Sequence, residues 1–171
     1  MSSTDKKVEW CLKKAQRELA EKGTHRGLVP TKPDREEAKK HLLKAEHNLK
    51  LVALLERQDF TDWAVSAVFY TIYHCFLAII TQFGYASRNQ ECTLALIQKL
   101  KDDGSIRLSD DILKAFPTLD PDKRQASSVI SMREEYQYGT ATSIDGTRLA
   151  DLKDLCKKAI EETKGIIYAE K

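Results

Sequence analysis

The sequence predicts an all-α fold of four main helices with short additions, one of them a helix at the N-terminus. Three observations lead there. Only seven glycines and four prolines interrupt 171 residues, apolar residues recur at steps of three and four, and no run alternates apolar with polar as a half-buried strand must. A chain of this length buries a real core in one domain. Its apolar share of 42% and charged share of 32% are those of a helix-rich globular protein.

The first element spans residues 5–22, where Val8, Leu12, Ala15 and Leu19 form one stripe. GTHRGLVPTKP follows as a linker, so residues 1–32 are read as a helix plus linker and 33–171 as the bundle. Residues 1–32 hold eight Lys/Arg against four Asp/Glu, a mild basic bias that fits a solvated helix docked on the bundle. Asp34 followed by Glu37 has the spacing of a capping box. The helix it opens runs to about Arg57, with Ala38, Leu42, Ala45, Leu49 and Val52 as its seam. Asp59 or Thr61 starts the next helix, which Gly84 ends at the C-cap. Apolar residues from Phe60 to Phe83 lie nearly all round that helix, more than one bundle core requires. The excess predicts a central helix that also meets a second subunit.

Ser87 with Gln90 reads as a second capping box, opening a helix to about Leu100. A short helical piece is expected over 110–116, and a helix over 121–138 with Pro121 at its first position. The last helix covers about 147–168, striped by Leu149, Leu152, Cys156, Ala159, Thr163 and Ile166.

Composition excludes several functions. A net charge of +2 gives no global case for nucleic-acid binding. Four scattered cysteines and four scattered histidines show no metal-ligand spacing, so no metal site and no cofactor are expected. The cysteines are expected to be free and mostly buried in a reducing cytoplasm. No apolar leader opens the chain, and the polar groups within residues 63–83 make that segment a poor membrane span. The expectation is a soluble, cytoplasmic protein. Phosphate-binding glycine loops, a G-x-S-x-G elbow and H-E-x-x-H are all missing.

Two polar residues stand out. His74 sits mid-helix among apolar residues, one turn after Tyr70. Arg133 lies in SMREEYQYG, residues 131–139. With Val129 at zero on a wheel of about 100° per residue, Ala126 falls near 60°, Ile130 near 100°, Met132 near −60° and Tyr136 near −20°. Arg133 falls at about 40°, inside the apolar face. A guanidinium there is either paired structurally or opens into a cleft where it meets phosphate.

Together these segments resemble the HEPN domain, the higher eukaryotes and prokaryotes nucleotide-binding family. The resemblance covers about 34–168 and rests on the lysine-alanine-glutamate first helix with a later D-W-A-V, the F-Y-x-x-Y-H core, F-G-Y-x-S-x-N-x-E, and the arginine-bearing SMREEYQYG. It implies an up-and-down four- to five-helix bundle, here with a short extra N-terminal helix, that forms homodimers. Many members are ribonucleases, including toxins paired with a nucleotidyltransferase-fold antitoxin, and others are inactive RNA- or nucleotide-binding modules. Nuclease members carry R-x4-6-H at the dimer cleft. Arg133 matches that arginine, but Tyr138 stands where the histidine would be, and no histidine follows His74. Relatives carrying R-x4-Y, often R-x-x-x-D-Y, look similar, though Gln137 replaces that aspartate here. Tyrosine titrates near 10 in the ordinary case, so it is a weak general base at neutral pH, yet it can hydrogen-bond phosphate or stack on a base. The expectation is therefore a homodimeric binding module for RNA or a nucleotide, using Arg133, Tyr138 and Tyr136 and acting with a nucleotidyltransferase-fold partner. The alternative is a metal-independent ribonuclease toxin, with Arg133 and either Tyr138 or His74 as catalytic residues.

Overall fold

A computed structural model describes residues 1–115 and 128–169. Its helices are α1 (Ser3–Lys22), α2 (Arg35–Arg57), α3 (Thr61–Gln82), α4 (Gln90–Asp102), α5 (Asp110–Lys114), α6 (Val129–Tyr138) and α7 (Gly146–Ile167). The fold is an all-α bundle, as the periodicity predicts. α3 is the central helix, packed against α2, α4, α6 and α7. Phe69, Ile72, Phe76, Ile79 and Ile80 from α3 are fully buried, and Ala38, Ala45, Val52, Leu149 and Cys156 close the core from α2 and α7. Full burial of each large apolar side chain contributes about 1.5–3 kcal/mol, so this one helix dominates the core.

Asp34 caps α2 by accepting from the Glu37 amide at 2.9 Å, while its own amide donates to the Thr81 carbonyl. The bond back from Glu37 in a capping box is therefore replaced by a tertiary one. Thr61 begins α3, but Phe60 occupies the cap position and no side chain caps it. Instead the Thr61 hydroxyl accepts from the Ile144 amide, tying the loop before α7 to this end. Asn89, not Ser87, caps α4 through the Cys92 amide. The Ser87 hydroxyl accepts from the Asn89 amide instead and sets the approach to the helix.

Two further expectations are corrected. The linker and the segment after α3 form a small antiparallel pair, β1 (Leu28–Pro30) and β2 (Tyr85–Ser87), in the register Leu28↔Ser87 and Pro30↔Tyr85. Three residues per strand are too few to show alternation in sequence. Gly84 makes this turn possible: its φ is +81°, and a Cβ there would lie 2.9 Å from the Thr31 carbonyl oxygen. The cysteines are not all free. Cys11 of α1 and Cys92 of α4 form a disulfide across a sequence separation of 81 residues, leaving Cys75 and Cys156 as buried thiols. The reason is tertiary: α1 lies against α4, and both sulfurs face into that contact. The pairing removes the cysteine argument for a reducing compartment.

The helix expected over 110–116 is α5, ending at Lys114, and the one expected over 121–138 is seen as α6. Phe116 and Pro121 fall outside the described residues. α3 is long and apolar enough to cross a bilayer, but 67% of its most apolar window is buried inside the bundle.

Candidate functional site

α6 is a ten-residue helix capped by Ser128, whose hydroxyl accepts from the Ser131 amide. Val129, Ile130 and Met132 bury its inner side. Arg133 is half-buried, as its wheel position predicts. Its guanidinium carbon lies 4.3 Å from the centroid of the Phe69 ring on α3. Such cation–π stacking contributes about 0.5–2 kcal/mol, more as water is excluded. Arg133 Nε is buried and has no hydrogen-bond partner. Among the described residues no carboxylate pairs with it. An unmet buried donor costs about 1–3 kcal/mol, so the side chain is held by aromatic packing while hydrogen-bonding capacity is left over.

The neighbouring site residues separate. Tyr136 packs against the core. Tyr138, the last residue of α6, is 80% exposed. Five residues on a helix turn through about 500°, so Tyr138 points about 140° away from Arg133 within one chain. The same arithmetic separates His74 from Arg133. Phe69, which carries Arg133, and His74 are also five apart on α3, and His74 faces α2. There its Nδ1 lies 3.1 Å from Nδ1 of His41. Burial, with His41 and Lys44 nearby, pushes the His74 imidazole down to about 4. Burial also lowers His41, against an opposing pull from Glu37. Within a single chain, then, Arg133, Tyr138 and His74 do not converge.

A second feature lies on the α2–α3 side. Lys44, Asn48, Leu51 and Leu55 on α2 face Trp63, Ala67, Tyr70 and His74 on α3 across an open groove of about 410 Å³. Each row advances by four, three and four residues, so each is one helix face. The groove is polar at the Lys44–His74 end and apolar at the Leu55–Trp63 end. Trp63 is 55% exposed and Tyr70 46%. Leu54 and Phe60 add exposed apolar surface nearby. The surplus of apolar residues on α3 pointed to this face, although its pairing with α2 depended on tertiary register.

The bundle thus carries an arginine stacked on Phe69 on one side of its central helix and an open aromatic groove on the other. The HEPN domain family model matches residues 38–171, and the chain belongs to that family. Membership makes it a nucleotide- or RNA-related module. The match begins inside α2, so α1 and β1 precede it. No curated protein matches the chain.

Proposed function

We propose that the protein is a homodimeric HEPN module that binds RNA or a nucleotide through Arg133 without cleaving it. The observation that carries this reading is the buried, unpartnered Nε of Arg133 stacked on Phe69. Cation–π packing fixes the guanidinium while leaving donors for a phosphate, which arginine meets in a planar, bidentate manner. Tyr136, one turn after Arg133, packs against the core, and Tyr138 offers an exposed ring to a base. The second subunit covers the α2–α3 groove, where Leu51, Trp63 and Tyr70 present the aromatic and aliphatic anchors that interface centres use. A nucleotidyltransferase-fold protein is the partner that the family resemblance implies. Nuclease chemistry is disfavoured because the histidine position holds Tyr138, and His74 points to the opposite side of α3.

The test is anisotropy of labelled single-stranded RNA and of a nucleotide with the purified protein, beside Arg133→Ala, at two salt concentrations. Salt-sensitive binding that weakens at least ten-fold in the variant, with the RNA intact on a gel, is expected. Equal binding by both proteins sinks the arginine claim, and arginine-dependent cleavage replaces it with the ribonuclease reading.

A further inference from the structure

The His41–His74 pair has a geometry that its hydrogen bond does not exhaust. The two residues come from different helices, and their Nδ1 atoms lie 3.1 Å apart with ring centroids at 5.3 Å. One ring must donate its Nδ1 proton to the lone pair of the other. Two imidazole nitrogens that share one ion at zinc–nitrogen distances are separated by about 2.9 Å at a right angle and about 3.3 Å at the tetrahedral angle. The observed separation falls inside that interval.

We propose that His41 and His74 form a binding site for a divalent transition-metal ion of the zinc class, bridging α2 and α3 at the polar end of the groove. Imidazole nitrogen is a favoured ligand for such ions. Both rings are part-buried, and imidazole binds metal in its neutral form. His74 lines the polar end of the groove, away from the Leu55–Trp63 end. No set of three or more His, Cys, Asp or Glu side chains comes together among the described residues, and the site has two protein ligands as it stands. Two neighbours tune it in opposite directions. Glu37 lies one turn before His41 and attracts positive charge there; its carboxylate now pairs with Lys40 at 2.8 Å and is partly exposed. Lys44 lies one turn after His41 and opposes charge at His74.

The experiment is a Zn2+ titration of the untagged, metal-free protein by calorimetry at pH 7, beside His41→Ala, His74→Ala and Lys44→Ala. One ion per chain is expected, weakened at least ten-fold in either histidine variant and tightened severalfold in Lys44→Ala. No binding by the parent protein, or binding that survives both histidine substitutions, overturns the proposal. A readout on the unmutated chain guards against variants that misfold. Imidazole 15N spectra are expected to shift at Nδ1 of both His41 and His74 when Zn2+ is added. A shift at neither, or only at His25 and His47, overturns it equally.

Discussion

The α1–α4 side of the molecule and the α2–α3 side are built in opposite ways. On the first, Cys11 and Cys92 are joined covalently, Lys99 pairs with Asp5 at 2.7 Å, and Lys7 pairs with Glu91 at 3.0 Å. Gly27 lets β1 approach so closely that a Cβ there would lie 2.8 Å from the Cys11 carbonyl oxygen. On the second, Leu51, Trp63 and Tyr70 are exposed along an open groove, with no covalent tie and no strand edge over them among the described residues. The segment that precedes the family match is sealed onto the domain, whereas α2 and α3, which carry much of the family resemblance, keep an apolar face open. The contrast teaches that exposed apolar surface here is not a shortage of chain to cover it. A whole helix was available, and it covers α4 instead.

The largest effect comes from opening the sealed side. A disulfide closing a loop of this length contributes about 4–5 kcal/mol in the chain-entropy account, and removing native ones costs about 2–5 kcal/mol. Cys11→Ser with Cys92→Ser is expected to lower the unfolding free energy from urea titration by an amount in that range, while the affinity of the proposed dimer stays as it was. Coincident loss of dimerisation would show that the two sides are not independent. An unchanged unfolding free energy would show that packing of Val8 and Ala15, with the ion pairs to α4, holds α1 without the disulfide.

A smaller effect belongs to the open side. Trp63→Ala removes a ring that is already 55% exposed, so folding stability is expected to change by less than about 0.5 kcal/mol. The proposed dimer is expected to weaken by about 2 kcal/mol, roughly thirty-fold in Kd, as for a central aromatic anchor. Sedimentation equilibrium across a concentration series measures it. A variant that dimerises like the parent moves the subunit contact away from this groove.

The same contrast explains what the sequence discloses. Features that one helix determines alone are legible in it. The Asp34 cap, the 38–42–45–52 seam, the αL turn at Gly84 and the inward position of Arg133 all follow from periodicity and local chemistry. Features that need two elements are not. Cys11 and Cys92 meet only because α1 docks on α4, and β1 finds β2 only through the turn at Gly84. His41 and His74 are 33 residues apart, and no spacing rule joins them. The groove is an intermediate case. The 44–48–51–55 and 63–67–70–74 rows are each visible, but their alignment is set by the antiparallel register of α2 and α3. For the candidate site, Arg133 was readable because a charge on an apolar face is anomalous. Its Phe69 platform was not, since an aromatic on a buried helix is ordinary.

The smallest expected effect separates the electrostatic part of the sealed side from its covalent part. Lys99, then the Ser2 amide and hydroxyl, hold the Asp5 carboxyl well below the usual carboxylate range. Asp5 is exposed, and Lys99 also pairs with Asp103 at 3.1 Å, so the contribution is small and screened by salt. Its sign is fixed by linkage: a carboxyl whose folded value lies below its unfolded one stabilises fully above the unfolded value. That stabilisation fades as pH falls below about 4 toward the folded value. In the Cys11→Ser, Cys92→Ser protein, where nothing covalent masks α1, amide-exchange protection of Val8 to Ala15 is expected to fall as pH drops from 5 to 2.5, after correction for intrinsic rates. Asp5→Asn is expected to flatten that fall. α2 and α3 should be unaffected, because none of these groups touches them. A pH response of equal size on the open side would mean that acid loosens the bundle as a whole, and the two sides would then have to be treated as one cooperative unit.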